Sequence, residues 1–227
     1  MKKCLIYIYL LLLTSLCCLQ AGAVSSEIRS LSVSDGLPDL VINTIYKDSK
    51  GYVWMGTNTS VERFDGIRLE HYMVEGSNEN LKRVFALIEM PGDELWVGTG
   101  MGLFRLADDA EKLERLAPEM ITSGVHAFCK LGDVLYVGTE KGLYVYKGGV
   151  FEHVLVDKNV FSRANFVTGM VEGENGILWL STMGGLKSFR LSDQTITSFS
   201  DKLAKNGQNL SFYNITRIGS KIFMGTM

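Results

Sequence analysis

The sequence predicts an all-β fold, a β-propeller of four-stranded antiparallel blades with about five repeats, the last one incomplete. Three observations carry this. Five copies of an aromatic-x-Gly-Thr segment stand in phase: "VWMGT", "LWVGT", "LYVGT", "LWLST" and "IFMGT". Their aromatics, Trp54, Trp96, Tyr136, Trp179 and Phe223, are separated by 42, 40, 43 and 44 residues. A period near 42 suits a propeller blade, and helical repeats share it, so local pattern must decide. Each unit consists of short β-rich runs broken by turn residues, without long stretches of 3.6 periodicity.

The units fall near 35–75, 76–117, 118–157, 158–200 and 201–227, the last partial. The second shows the strands most clearly. "RVFALIEM" (83–90) is the first and innermost, and "ELWVGT" (94–99) the second, with Leu95 and Val97 on one face and Trp96 on the other. "GLFRL" (102–106) is the third. "EKLERLA" (111–117) is a weak outer fourth, whose charge suits a sheet edge. The hairpin joining the first two strands comes in two forms. Where Gly lies three before the aromatic ("DSKG", "GENG"), a longer loop closing on a left-handed Gly is expected. Where it lies four before ("GDELW", "GDVLY", "GSKIF"), a two-residue turn is expected.

The repeat assigns structural roles. The aromatics should pack between neighbouring blades. Gly56, Gly98, Gly138 and Gly225 should allow close approach, and the hydroxyls of Thr57, Thr99, Thr139, Thr182 and Thr226 should satisfy the following turn. The regular spacing of the aromatics favours this core role over sugar stacking.

Residues 1–23 read as a secretory signal peptide: basic "MKK", an apolar run of 15 residues from Leu5 to Leu19, and small residues in "AGA" before Val24. A membrane anchor would need roughly 20 apolar residues. Leu16 before Cys17 argues against a lipoprotein site. Residues 24–227 then form the propeller and keep only Cys129, so no internal disulfide is expected. A net charge of −2 gives no general pull towards nucleic acid.

Residues 35–66, "DGLPDLVINTIYKDSKGYVWMGTNTSVERFDG", resemble the two-component regulator propeller repeat. They share its Asp-Gly-Leu-Pro lead, Asp-x-x-Gly turn, Trp-x-Gly-Thr and closing Asp-Gly. Ser60 stands where Gly is usual, later units lose the lead, and unit four has Ser181 for Gly. The resemblance extends over 27–227. It implies the exported sensor region of a hybrid two-component system, at the periplasmic face of the inner membrane. The implied partners are a glycan-derived or other polar signal and a membrane-linked histidine kinase region further along the intact protein. On this reading the residues given are the front of a longer chain. "EIRSLSV" (27–33) would be a ring-closing outer strand, and the open blade edge would allow a homodimer. A stand-alone exported scaffold and a propeller enzyme such as a polysaccharide lyase are the alternatives.

No nucleophile elbow, P-loop or CxxC occurs. His71, His126 and His153 have no metal-ligand spacing, and "DSKG" and "GENG" lack the alternating acidic ligands of a calcium loop. No enzymatic activity, metal or cofactor is expected of this region. The loops entering the first strands and joining the second to the third carry Asp39, Asn43, Asn58, Arg83, His126, Lys141, Arg163 and Asn165. They form the candidate ligand face for a polar oligosaccharide.

Overall fold

A computed structural model of the chain describes residues 30–74, 81–199 and 211–226. The chain divides into two units, 1–31 and 32–227, and the second holds the repeats. The signal peptide and the cleavage site at Val24 lie outside the described residues, as does Met227.

Unit one of the repeat is a sheet of β1 (Thr44–Lys47), β2 (Val53–Gly56), β3 (Val61–Phe64) and β4 (Leu69–Tyr72). The second comprises β5 (Val84–Met90), β6 (Glu94–Thr99), β7 (Gly102–Leu106) and β8 (Glu114–Arg115). The third holds β9 (Val125–Leu131), β10 (Val134–Thr139), β11 (Gly142–Lys147) and β12 (Val150–Val154). The fourth holds β13 (Val167–Glu172), β14 (Ile177–Thr182), β15 (Gly185–Arg190) and β16 (Ile196–Ser198), and the fifth a hairpin, β17 (Phe212–Ile218) and β18 (Lys221–Thr226). Each sheet is an antiparallel meander in chain order. The first strands neighbour one another: β1 beside β5, β5 beside β9, β9 beside β13, β13 beside β17. These are propeller blades, each packed face to face on the next.

The aromatic of each blade seals the joint to its successor. Trp54 shares a core with Leu87, Leu95 and Val97 of blade two. On the opposite face of β6, Trp96 packs with Val125, Leu135 and Val137 of blade three. Tyr136 meets Leu178 and Leu180 of blade four, and Trp179 joins Ile215 and Met224 of blade five. The two faces of one strand thus serve two different joints, as period-two alternation requires. Two indole N–H groups are satisfied within their own blades: Trp54 Nε1 donates to Asp48 Oδ2 at 2.7 Å and Trp96 Nε1 to Glu94 Oε2 at 3.1 Å. Phe223 has no described blade beyond it and is 49% exposed, against 3% for Trp96.

The Gly before each Thr lies where the next blade's first strand comes closest. A Cβ on Gly98 would stand 2.8 Å from both Val125 Cγ1 and the Val125 carbonyl oxygen. One on Gly138 would stand 2.8 Å from Val167 Cγ1, and one on Gly56 2.5 Å from Val84 Cγ1. Unit four breaks the motif with Ser181, and the register shows the compensation. Ser181 pairs with Gly169, whereas Gly98 and Gly138 pair with Ala86 and Ala127. The residue without a Cβ has moved across the strand pair, and Ser181 Oγ sits 3.0 Å from Thr168 Oγ1.

The motif Thr closes the next turn in blades one to four. Thr99 Oγ1 donates to the Gly102 carbonyl at 3.0 Å and accepts from Met101 N at 3.0 Å; Thr139 and Thr182 repeat both bonds. Gly102, Gly142 and Gly185 have φ of 125°, 124° and 103°. In unit one Ser60 occupies that place without a positive φ, and Thr57 Oγ1 still donates to the Ser60 carbonyl at 3.1 Å.

Three local expectations are corrected. The unit-two hairpin has three loop residues, since Met90 pairs with Glu94 across Pro91, Gly92 and Asp93. The two-residue form holds at Gly132–Asp133 and Gly219–Ser220, each with φ near 60° at Gly. The outer strand expected over 111–117 contracts to Glu114–Arg115. Its flanking Leu113 turns inwards, and its backbone N–H bonds the Met73 carbonyl of blade one at 2.9 Å. In "EIRSLSV", residues 27–29 lie outside the described part, residues 30–32 are not in a strand, and Val33–Asp35 form a 3-10 turn.

Candidate functional site

The first strands meet around a cavity of about 520 Å³. Every blade contributes to its wall: Asn43 from the first, Arg83 and Phe85 from the second, His126 and Glu140 from the third, Phe166, Thr168 and Met183 from the fourth, Tyr213 and Asn214 from the fifth.

A backbone device places four of these side chains. Pairing between first and second strands skips one residue at Val84/Ala86, Val125/Ala127, Val167/Gly169 and Phe212/Asn214. The skipped residues are Phe85, His126, Thr168 and Tyr213, and all four line the cavity. A β-bulge leaves its extra residue unpaired and re-aims it. The Val or Phe before each bulge stays in the blade joint, while the bulged residue turns to the axis. Blade one has no such shift. It offers Asn43, whose N–H bonds the Gly56 carbonyl at 2.8 Å.

One wall is aromatic. The His126 ring lies between Phe85, at 4.0 Å between centroids, and Phe166, at 4.7 Å. His126 Nε2 is 3.2 Å from Glu140 Oε1. Burial among these rings lowers the His126 pKa below its usual 6.5, and Glu140 opposes the shift. The imidazole is therefore neutral at pH 7. A histidine whose folded-state pKa is depressed stabilises the fold above its unfolded pKa, and that contribution is lost as pH falls through the folded value. Thermal melts from pH 7.5 to 5 should thus show a decline in stability starting near pH 6.5. In His126→Phe that component should be flattened. Identical profiles for the two proteins would contradict this.

Another part of the wall, at Asn43 and Arg83, is polar. Asn58 Oδ1 accepts from Asn43 Nδ2 at 3.2 Å and from Arg83 Nε at 3.3 Å, and Asn58 Nδ2 donates to Asp39 Oδ2 at 2.9 Å. The Asp39 carboxyl is held below its usual range, first by the Val41 N–H and also by Asn58, against a smaller opposing effect of desolvation. Lys82 and Arg83 both have positive φ, 49° and 74°, although neither is Gly. Such backbone is sparsely populated and persists where the surroundings fix it; here Arg83 N–H bonds the Asn58 carbonyl at 2.8 Å.

Of the residues expected on the ligand face, Asn43, Arg83 and His126 line the cavity, and Asp39 and Asn58 join Asn43 and Arg83 in one hydrogen-bonded group behind them. Lys141 points elsewhere and donates to Thr122 Oγ1 at 3.1 Å. Arg163 reaches Ser211 Oγ at 3.3 Å, between blades four and five. Asn165 is buried and spends its amide on its own loop. Its Oδ1 accepts from Asp157 N at 2.9 Å, and its Nδ2 donates to the carbonyls of Asp157 and Asn159. Removing that amide in Asn165→Ala should lower stability by about 1–3 kcal/mol, measured by denaturant unfolding, because a buried side chain is lost whose amide holds the Asp157 N–H and the carbonyls of Asp157 and Asn159. Sequence reasoning missed Phe85, Glu140, Phe166, Thr168, Met183, Tyr213 and Asn214. A signal for three of them existed: Phe85, Thr168 and Tyr213 occupy the repeat position of His126, spaced by 41, 42 and 45 residues.

A second cleft of about 500 Å³ lies between blades one and two, lined by Trp54, Arg63, Glu70, Asp93 and Asp108 among others. Several of its charges are already matched. Arg63 pairs with Glu70 and lies over the Tyr52 ring at 4.7 Å, and Lys50 bridges Asp93 and Asp108 at 3.0 and 3.1 Å. It draws on two blades where the axial cavity draws on five. Among the described residues, no group of three or more His, Cys, Asp or Glu side chains is placed to hold a metal ion. "DSKG" acts as a turn, with Asp48 Oδ1 accepting from Tyr52 N at 2.8 Å.

Bladed sheets with an axial, multi-blade cavity define a propeller, and comparison narrows the class. Residues 36–59 match the family model of the two component regulator propeller, so the chain carries that repeat, as its first unit implies. Histidine kinase P4 of Formosa agariphila is 27% identical over 220 residues, covering 85% of this chain and 16% of the relative. Two solved extracellular domains from B. thetaiotaomicron share the fold, those named for the hybrid two component systems BT4673 and BT3049. Each has a TM-score of 0.71 at 20% identity; they cover 84% and 87% of this chain and 26% and 29% of their own. A streptogramin B lyase shares the fold more distantly, with a TM-score of 0.60 at 13% identity. The chain thus spans about a sixth of the kinase and less than a third of these extracellular domains. No helix among the described residues is long and apolar enough to cross a membrane.

Proposed function

We propose that this region is the exported, ligand-binding propeller of a two-component signalling protein. It binds a polar, glycan-derived signal in the axial cavity and passes that event to a kinase region of the intact protein. The observation that carries this reading is the convergence of five blades on one cavity with an aromatic wall and a hydrogen-bonding wall. Sugars present apolar ring faces and polar edges, and a site of this composition answers both. Ligand contact with several blades at once would favour one arrangement of the blades over another, which is the differential affinity that signalling needs. The kinase relative and the extracellular neighbours support an exported sensor.

The test is calorimetric titration of a panel of neutral and acidic oligosaccharides into the intact gene product and into residues 24–227. Autophosphorylation of the intact protein is followed in parallel. Binding that is lost in Phe85→Ala, with the phosphorylation rate changing only for saccharides that bind, is the expected result. An intact, folded protein that binds no saccharide of the panel would overturn the reading.

A further inference from the structure

The polar wall is not electrically even, and its asymmetry specifies more of the ligand. Arg83 is exposed and lines the axial cavity. Its Nε is engaged by Asn58 Oδ1 at 3.3 Å, and its guanidinium carbon lies 5.9 Å from the Phe85 ring centre. Among the described residues no carboxylate forms an ion pair with it, whereas Arg63, Arg105, Arg190 and Arg217 each have one. Among the described residues, neither terminal nitrogen of Arg83 has a hydrogen-bond partner, and the side chain lines the cavity. The support behind it is extensive for one surface arginine. Asn58 is itself held by Asp39, and the backbone at Arg83 is pinned in the left-handed region by the Asn58 carbonyl. A planar guanidinium held at Nε and open at its two ends is the geometry that receives a carboxylate or sulfate through paired bonds.

We propose that the axial cavity selects a saccharide bearing an anionic group, a uronic-acid carboxylate or a sulfate ester. Arg83 takes the anion, and a sugar ring rests against the Phe85–His126–Phe166 row. This rests on the reading of the cavity as a saccharide site and narrows its substrate class. Glu140 is the one carboxylate among the described lining residues. It lies within reach of His126, so its charge opposes an anionic ligand and its removal should help one.

Paired probes separate the inference from the reading beneath it. Uronic-acid oligosaccharides are titrated into the intact protein beside their methyl esters, and sulfated oligosaccharides beside their desulfated forms. Each pair differs in charge and little else. The expected result is a preference of roughly 10- to 100-fold for the charged member of at least one pair, the range of a charge-assisted bond. Which pair shows it tells carboxylate from sulfate. Arg83→Gln should abolish the preference, Arg83→Lys should restore part of it, and Glu140→Gln should strengthen binding of the acid. Circular dichroism melts confirm that the variants fold. Equal binding of both members of every pair, or a preference that survives in folded Arg83→Gln, overturns the anionic inference and leaves the saccharide site standing. Failure of all members, charged and neutral, overturns both.

Discussion

Trp96→Ala is expected to destabilise the protein by about 3–5 kcal/mol, the usual cost of emptying a large buried aromatic site. Trp96 is 3% exposed, shares its core with Leu135 and Val137, and lies 4.9 Å from the Tyr146 ring. Truncation would open a void at the joint between blades two and three and leave Glu94 without its indole donor. Glu111→Ala, an exposed change beside the outer strand of the same blade, should fall within about 0.5 kcal/mol of wild type. Denaturant titration of the pair measures the contrast. Equal effects would mean that the aromatic row is not what holds adjacent blades together.

Gly98→Ala is expected to cost about 1–3 kcal/mol, because the added methyl meets backbone as well as side chain. Its nearest neighbours, Val125 Cγ1 and the Val125 carbonyl, would both stand at 2.8 Å, and the carbonyl belongs to a strand already fixed in the blade. In a protein of residues 24–227, the same substitution at the equivalent Gly225, where nothing among the described residues lies within 4 Å, should be silent to within about 0.5 kcal/mol. Neither glycine has a positive φ, so the comparison isolates blade contact from backbone strain. A silent Gly98→Ala would show that blades two and three stand further apart than described.

These effects mark what was legible in the sequence. The blade joint was legible because it repeats: an aromatic, a Gly and a Thr recur in phase, and in blades one to three the aromatic and the Gly meet the equivalent part of the next blade. Even the exception at Ser181 obeys the joint, with Gly169 supplying the missing space. The outer edge was legible only in kind, because one strand of two residues needs little sequence to specify it, and Leu113 was drawn inwards by packing. The site was half legible. Asp39, Asn43, Asn58 and Arg83 could be placed on one face from their loops, but their joining into one hydrogen-bonded group depends on inter-blade geometry that no local pattern encodes. The bulged residues were hidden for a different reason. Phe85, His126, Thr168 and Tyr213 share a position but no chemistry, and a bulge inverts the alternation from which inward and outward faces are read. Asn165 looked like its neighbours on the ligand face, yet a 3-10 turn at Arg163–Asn165 turns its amide into the loop.

The central claim is that the axis formed by the first strands is where the signal binds. Hydrogen-exchange mass spectrometry of the intact protein, with and without a saccharide that binds in calorimetry, tests it most directly. Protection is predicted in peptides spanning the four bulges, around residues 83–86, 124–127, 166–169 and 212–214, and in the segment 39–43. The outer strands at 69–72, 150–154 and 196–198 should be unchanged. Protection confined to those outer strands, with the bulges unaffected, would contradict the account.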